Sequence, residues 1–247
     1  MKKKLLAVLA VLFAASHASE AGTPYMNTFS IDNVVPNSAG WSYWFIPTGG
    51  AADSLNVKMT CVTEGEWLHG AHSHNHDELY VLVEGEGVVR LNEEEHFFKA
   101  GDGLYCPSGS YHSIRRTDFE RPLKYLMINR NVPGGISEPF PFFKDGYHMS
   151  DCFSSSAGSR TFWHVTPRQT VGGLNVRSVN LKRRRTCMYP ADGRQLVIVI
   201  LDGTADISVD GTPVELSALS VCHVPKGAVC TLRSSSQNLR YLEVRNN

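Results

Sequence analysis

Short apolar runs alternate with turn-forming residues along most of the chain. The runs are rich in Val, Ile, Leu, Tyr and Phe, and Gly, Pro, Asn and Asp separate them. They cover Glu78–Val83, Gly87–Leu91, His96–Phe98, Leu123–Asn129, Gly173–Leu181, Leu196–Leu201, Ala205–Val209 and Tyr241–Val244. Helical signals are scarce, and turn signals such as Gly85 and Asp210-Gly211 recur between the runs. The pattern predicts an all-β fold of short antiparallel strands, in a sandwich or a barrel.

Part of this pattern occurs twice. Leu82–Gly85 (Leu-Val-Glu-Gly) matches Ile200–Gly203 (Ile-Leu-Asp-Gly), and Pro107–Gly109 (Pro-Ser-Gly) matches Pro225–Gly227 (Pro-Lys-Gly). Both matches have an offset of 118 residues, without a gap between the blocks. An equal offset in two separate blocks indicates duplication of one unit rather than a chance likeness between turns.

A linker is expected between the two copies. Asn131–Ser159 is rich in Pro, Gly and Ser, as loops and linkers are. We therefore predict one unit over residues 22–145 and a second over residues 146–247.

Residues 1–21 have the pattern of a secretory signal peptide. Lys2–Lys4 precede the apolar run Leu5–Ala15, and small and polar residues follow it. Cleavage after Ala18 and cleavage after Ala21 fit equally well. The run is shorter than the roughly 20 apolar residues that a membrane-spanning helix needs. We therefore expect an exported protein, periplasmic or extracellular, with no membrane segment after cleavage.

The charged residues balance, with 24 basic and 24 acidic side chains. This composition provides no electrostatic attraction to nucleic acid, and we expect no nucleic acid as a partner. The basic run Lys182–Arg185 is interpreted as a solvated strand end, as isolated charge runs usually are.

The six cysteines are compatible with disulfides, because an exported chain meets an oxidising compartment. They are Cys61, Cys106, Cys152, Cys187, Cys222 and Cys230. The absence of C-x-x-C spacing gives no support to a zinc ribbon or a thioredoxin-like site. Cys222 and Cys230 flank a turn and could pair, with buried free thiols as the alternative.

One short segment concentrates ligand-type side chains. His72, His74, Glu78 and Tyr80 are separated by even numbers of residues. An extended chain would place them on one face. His112 follows a Pro-Ser-Gly turn that can start a strand returning across the barrel. We therefore predict that three imidazoles and one carboxylate converge in one cavity.

This donor set suits a divalent transition metal. Neutral imidazoles bind Mn, Fe, Co, Ni, Cu or Zn, and the carboxylate adds one negative charge. Four protein ligands leave two positions of an octahedral ion for water or a bidentate substrate. We expect one such ion and a small-molecule substrate or ligand.

The same residues resemble the two motifs of the cupin superfamily. His72-x-His74, three residues, Glu78, six residues and a glycine resemble the first motif. Gly101, five residues, Pro-x-Gly, two residues and His112 resemble the second. The resemblance implies two tandem cupin-type β-barrels of jelly-roll-like form, a bicupin, with metal inside the barrel. It assigns the ligand roles to the three histidines and Glu78.

Two positions depart from the motifs. Glu66 stands where the first motif usually opens with glycine, and Gly65 is one residue early. Arg116 stands where the second motif usually closes with asparagine. These departures affect loop details rather than the ligands.

The second copy lacks the ligands. The offset of 118 residues carries the four ligand positions to Pro190, Asp192, Leu196 and Cys230. Those residues do not form a comparable donor set. We therefore expect a degenerate second barrel without metal, which supports the first.

Tyr80 and His76 are two further candidates at the site. Tyr80 shares the parity of the ligands and is our candidate catalytic acid or base, with packing in the barrel as the alternative. His76 is interpreted as a loop residue, and a role as an alternative ligand stays open.

Five other side chains are candidates for the mouth of the cavity. Trp67 and Tyr111 could line it, although aromatic residues by default fill a barrel. Arg90, Arg115 and Arg116 could bind a substrate carboxylate, although surface exposure is the safer expectation for each.

The resemblance leaves several functions open, because cupins include decarboxylases, dioxygenases, isomerases, lyases, aminohydrolases and non-catalytic binding or storage proteins. We expect a metal-dependent enzyme acting on a small polar or anionic molecule. The alternative is a small-molecule or sugar binding protein in which the metal is structural or holds the ligand. Open barrel edges are compatible with a homodimer.

A narrower resemblance suggests one particular reaction. Leu104–Gly109 is similar to the corresponding run of the ureidoglycine aminohydrolase-like bicupins. In that family the metal site lies in the second barrel, whereas here the ligand-type residues lie in the first copy. The aminohydrolase is therefore the weaker alternative.

Overall fold

The computed structural model describes most of the two predicted units. The described residues are 23–52, 54–64, 67–130, 153–154, 160–164 and 174–246. The predicted signal peptide, most of the predicted linker, Cys152, and the motif positions Gly65 and Glu66 lie outside them.

The regular elements of the described chain are all β-strands, apart from one short 3-10 helix at Ile31–Asn33. The strands are β1 Tyr25–Thr28, β2 Val35–Asn37, β3 Gly40–Ile46, β4 Leu55–Val62, β5 Glu78–Glu84, β6 Glu86–Leu91, β7 Glu94–Lys99, β8 Gly103–Cys106, β9 His112–Arg116, β10 Leu123–Arg130, β11 Phe153–Ser154, β12 Arg160–His164, β13 Leu174–Lys182, β14 Thr186–Tyr189, β15 Leu196–Asp202, β16 Thr204–Val209, β17 Thr212–Ser217, β18 Ser220–Val224, β19 Cys230–Ser234 and β20 Asn238–Asn246. In this part of the chain, no helix has the length and hydrophobicity that crossing a bilayer requires.

Four antiparallel sheets form two barrels. The first barrel combines a six-stranded sheet, β2-β3-β4-β10-β5-β8, with a three-stranded sheet, β7-β6-β9. The second combines a seven-stranded sheet, β1-β18-β15-β20-β13-β12-β11, with a four-stranded sheet, β14-β19-β16-β17. The prediction of an all-β chain with two jelly-roll-like barrels is confirmed.

The duplication is visible strand by strand. β5 begins at Glu78 and β15 at Leu196, and the starts of β6 and β16, β7 and β17, and β9 and β19 are also 118 residues apart. β5 and β15 occupy equivalent places, since each pairs with the last strand of its barrel, β10 or β20. The offset read from the two sequence blocks therefore extends to four strands of each barrel.

The central strands bury both of their faces. Tyr80 and Leu82 of β5 belong to the apolar cluster inside the first barrel. Leu79 and Val81, which alternate with them, belong to a second cluster outside that barrel. Burial on both faces explains why this strand has an unbroken apolar run rather than a polar and apolar alternation.

The two barrels share the outer cluster. It contains Leu126 and Ile128 of β10 together with Leu242 and Val244 of β20, all buried. The large sheets of the two barrels therefore pack on each other through a continuous apolar layer, which contributes to stability as any buried core does.

The N-terminal strand also connects the barrels. β1 pairs with β18 of the second barrel. The Tyr43 hydroxyl of β3, in the first barrel, is 2.6 Å from Asn27 Oδ1 and 2.7 Å from the Thr28 carbonyl oxygen of β1. The predicted unit boundaries, residues 22–145 and 146–247, stay a prediction.

The cysteines and the basic run have simple environments. The five described cysteines are buried and form no disulfide, so the pairing considered for Cys222 and Cys230 is wrong and the thiol alternative holds for them. Lys182–Arg185 is exposed at the end of β13, as expected for a solvated strand end.

Candidate metal centre

The candidate ligands come from two strand starts and one loop. Glu78 is the first residue of β5 and His112 the first of β9. His72 and His74 precede β5 in a loop, so the prediction of one extended strand from His72 to Tyr80 is wrong. The alternation holds only for Glu78 and Tyr80, which both face the interior of the first barrel.

Backbone hydrogen bonds bring the loop to the barrel. The His72 amide donates to the His112 carbonyl over 3.1 Å, and the His112 amide donates back to the His72 carbonyl over 2.8 Å. This single antiparallel bridge places the two histidines side by side. The Gly109 amide, 2.7 Å from the His74 carbonyl oxygen, fixes the loop a second time.

The predicted Pro-Ser-Gly turn lies before His112. The Ser110 amide donates to the Pro107 carbonyl over 3.1 Å, which closes the turn. The Ser108 amide donates over 3.2 Å to the fully buried Asp77 carboxylate. A buried carboxylate therefore supports the turn that directs His112 into the barrel.

The four predicted ligand side chains converge. His72 Nε2 is 3.0 Å from His74 Nε2, and His112 Nε2 is 3.2 Å from Glu78 Oε2. Glu78 Oε1 is 3.7 Å from His74 Nε2. Ligand atoms of His72, His74 and His112 all lie within 4.8 Å of one another. Their role as metal ligands stays a prediction.

The hydrogen bonds of two imidazoles fix the nitrogens that face the centre. His112 Nδ1 is 3.0 Å from the Ser110 carbonyl oxygen, and His72 Nδ1 is 3.2 Å from that of Gly70. A carbonyl oxygen only accepts, so each Nδ1 carries a hydrogen, and in the neutral, ligating form of the ring each Nε2 then presents a lone pair. His112 Nε2 is buried and makes no hydrogen bond. Lone pairs this close to each other and to a carboxylate fit a cation between them.

The electrostatics also suit a cation. Burial lowers the pKa of His74, which favours its neutral, ligating form. Burial opposes ionisation of Glu78, but the contacts from His112, His76 and Tyr80 outweigh it and hold the pKa of Glu78 well below its usual range. The ionised carboxylate of Glu78 therefore lies beside an imidazole, that of His74, whose neutral form is favoured.

Tyr80 and Asn129 orient this carboxylate. The Tyr80 hydroxyl donates to Glu78 Oε2, and Asn129 Nδ2 lies 3.3 Å from Glu78 Oε1. Tyr80 is buried, and burial, followed by the charge of Glu78, raises its pKa well above the usual value. The Tyr80 hydroxyl therefore keeps its proton and shares it with Glu78 in the hydrogen bond.

His76 is a loop residue, as predicted, and it also lies beside the cluster. Its Nε2 is 3.4 Å from Glu78 Oε1, and its ring stacks on that of His74 at a centroid distance of 4.8 Å. His74, His76 and Glu78 form a second group that could hold an ion. His76 therefore remains the alternative ligand.

The cluster lies in a cavity of about 310 Å³. His72, His74, His112, Glu78 and Tyr80 line it together with the apolar side chains of Leu68, Ile114 and Met127. Lys58 of β4 also lines it, and sequence reasoning missed this residue. A lysine between apolar positions of a strand gives the same pattern whether it faces solvent or the barrel interior.

The predicted mouth residues lie elsewhere. Trp67 and Tyr111 are exposed and do not line this cavity. Arg90, Arg115 and Arg116 do not line it either. Arg116 is buried, against the expectation of surface exposure, with its guanidinium 5.2 Å from the Phe119 ring centroid.

The second barrel has a different polar cavity. It measures about 380 Å³, and Pro190 and Asp192, which replace two of the ligands, line it. Arg177, Arg194 and Arg245 also line it. Arg245 Nη1 lies 2.9 Å from the Asp192 carboxylate. Ion pairs thus occupy the place where the first barrel has imidazoles.

Sequence comparison identifies a cupin domain. The family described as "Cupin domain" matches residues 58–129, which include all four predicted ligands. A 5-nitrosalicylic acid 1,2-dioxygenase from Bradyrhizobium sp is 37% identical over 57 residues. That match covers 23% of this chain and only 28% of the dioxygenase.

Structural comparison extends the likeness to both barrels. An oxalate decarboxylase from Lactobacillus farciminis, solved with formate, has a TM-score of 0.72 at 15% identity and covers 94% of this chain and 88% of its own. A salicylate 1,2-dioxygenase variant from Pseudoaminobacter salicylatoxidans has a TM-score of 0.66 at 12% identity, with coverages of 79% and 72%. At these identities the likeness establishes the fold. Together with the cupin-domain match over residues 58–129, it identifies a cupin domain in the first barrel of a chain with a two-barrel, bicupin-like fold.

Proposed function

We propose that this chain is an exported, metal-dependent enzyme that acts on a small carboxylate-bearing molecule in the first barrel. The observation that carries the proposal is the convergence of three imidazoles and one carboxylate in a cavity of about 310 Å³. The signal-peptide pattern supports export.

The residues present fit a divalent transition metal. His72, His74, Glu78 and His112 would hold it, with His76 as an alternative ligand. When bound, such an ion supplies a Lewis acid that can polarise a coordinated oxygen of the substrate. The buried Nε2 of His112 makes no hydrogen bond and faces Glu78 Oε2 at 3.2 Å, which supports a cation held by both atoms, because a buried polar atom without a hydrogen bond is costly.

The other residues of the cavity prepare it for chemistry. Tyr80 and Asn129 restrict the orientation of the Glu78 carboxylate. Leu68, Ile114 and Met127 provide apolar walls that exclude water from the bound substrate. The Tyr80 hydroxyl donates its proton in a hydrogen bond to Glu78, so it stays our candidate acid, whereas its raised pKa argues against a role as base.

We place oxidative cleavage of a hydroxylated aromatic acid first among the reactions. The dioxygenase from Bradyrhizobium sp supports this choice, although it matches over 57 residues alone. Decarboxylation of a short dicarboxylate comes second, since the decarboxylase likeness is one of fold. Ureidoglycine hydrolysis and binding without catalysis remain the weaker alternatives.

Turnover assays on the metal-replete protein test the proposal. We expect oxygen consumption with salicylate or 5-nitrosalicylate, or release of carbon dioxide from oxalate, and loss of that activity in His112→Ala. His96→Ala, a substitution in β7 outside the cavity, is the matched control and should keep full activity. A rise in melting temperature with a ligand but no product would contradict the enzyme and favour the binding protein.

A further inference from the structure

Lys58 brings an ammonium group to the wall of the metal cavity. The residue lies in β4 and lines the same cavity as His72, His74 and Glu78. Its Nζ is 5.1 Å from the centroid of the Trp44 ring, a cation–π contact that keeps the side chain against the wall. Among the described residues, no carboxylate forms an ion pair with it.

The second barrel provides a counter-ion for the basic residue at the position equivalent to Lys58. On β4 and β10 of the first barrel, Lys58 is opposite Met127. On the equivalent strands β13 and β20, Arg177 is opposite Glu243, and the two side chains form an ion pair. The first barrel therefore has methionine where the second has the counter-ion of its basic residue.

An ammonium that is half-buried without a counter-ion is costly, and the ring of Trp44 compensates only part of that cost. Burial accordingly lowers the pKa of Lys58, while the charge of Glu78 acts in the opposite direction. A divalent ion bound by neutral imidazoles and one carboxylate would add one further positive charge to the cavity. Such a cavity favours an anion that contacts both cationic centres.

We propose that Lys58 binds the carboxylate of the substrate and selects acids over their neutral analogues. The inference rests on the proposed function and narrows its substrate to a small acid with a second oxygen donor, such as a 2-hydroxy aromatic acid or a short dicarboxylate. Lys58 forms the ionic contact, and the second donor reaches toward the histidine cluster. Its place in β4, away from both cupin motifs, makes it a determinant of specificity rather than of metal binding.

Paired ligands that differ in charge test this role. Dissociation constants of salicylate and neutral salicylamide would be measured by calorimetry on the full metal-loaded chain, in the wild type, Lys58→Met and Lys58→Arg. Lys58→Met keeps the apolar stem against Trp44 without the charge. We expect it to weaken salicylate binding by about tenfold or more and to change salicylamide binding by less than about twofold, whereas Lys58→Arg stays within about threefold of the wild type. Oxalate and oxamide serve as a second pair.

The outcomes separate this inference from the proposed function. Salicylate and oxalate affinities unchanged in Lys58→Met, equal losses for acid and amide, or a wild type that binds neither acid would each overturn the role of Lys58. Arg194→Gln, at the second cavity, should leave binding of both acids unchanged, and a loss there instead would also overturn it. Metal content of the three proteins, measured separately, tests the proposed function and should be equal.

Discussion

At the scale of single residues, the centre is defined by which atoms face inward. The Nδ1 atoms of His72 and His112 donate hydrogen bonds to backbone carbonyl oxygens. The Nε2 atom of His72 therefore faces His74, and that of His112 faces Glu78. Tyr80 holds one oxygen of Glu78 by a hydrogen bond. The arrangement holds the ionised carboxylate of Glu78 beside the neutral imidazole of His74 in a largely buried site.

Tyr80→Phe tests the support of the carboxylate. The substitution removes the hydroxyl that donates to Glu78 but keeps the ring, which packs edge-on against Tyr125 at 5.7 Å. We expect metal affinity to fall by about tenfold, because the hydrogen bond from Tyr80 holds the Glu78 carboxylate in its ligating orientation. The fold should be retained. Titration with metal measures the affinity, and circular dichroism measures whether the fold is retained. Tyr125→Phe is the control, and an equal loss in both variants would argue against a specific role for Tyr80.

The buried thiols make a prediction about pH. Burial raises the pKa of Cys222 and of Cys230 to about 12. Neither thiol should react with Ellman's reagent in the native protein at pH 8, and both should react after denaturation. The unfolded chain ionises these thiols above about pH 9 while the folded chain keeps them protonated, so stability should fall as the pH rises from about 9 toward 12. Rapid labelling of native protein, or a Cys222–Cys230 disulfide, would contradict the account.

At the scale of elements, the period of the apolar runs predicted most strands, because strands such as β5 and β15 are buried on both faces and read as continuous apolar segments. The same period failed at His72–Asp77. That segment is a loop. Its ligand-type residues alternate because their side chains converge on one centre, not because the segment pairs with a neighbouring strand. Lys58 could not be placed from sequence, because its direction depends on the pairing of β4 with β10.

Two glycines of the second barrel share a positive φ but differ in their surroundings, so replacing each one distinguishes the cost of backbone strain from that of a steric clash. Gly203 and Gly211 have φ angles of 86° and 83°. A Cβ at Gly203 would lie 2.5 Å from the Asn238 carbonyl oxygen, whereas at Gly211 nothing lies within 4 Å. Gly211→Ala should lower the free energy of unfolding by about 1 kcal/mol, and Gly203→Ala by at least about 2 kcal/mol more. Urea unfolding measures both, and equal losses would contradict the argument.

At the scale of the whole molecule, the barrels are joined by a common apolar layer and by β1. The cupin resemblance predicted two barrels, and the offset of 118 residues predicted their correspondence. The sequence could not predict that Ile128 and Val244 share one cluster, or that β1 joins the sheet of the second barrel. Both features depend on how the two barrels pack, which no local pattern encodes.

Ile128→Ala tests this shared layer. Ile128 is fully buried between the barrels, so the variant should lose about 2–5 kcal/mol of stability. Differential scanning calorimetry should show one transition for both barrels, shifted as a whole. Two separate transitions, of which only one moves, would show that the barrels unfold independently.

The central claim is that the histidine and glutamate cluster of the first barrel binds a transition metal. Elemental analysis of the chain, purified without chelator or added metal, tests it most directly when the wild type is compared with His72→Ala/His74→Ala and with the control His96→Ala. We predict about one transition-metal ion per chain in the wild type and the control, and almost none in the double variant. Equal metal content in the wild type and the double variant would contradict the claim.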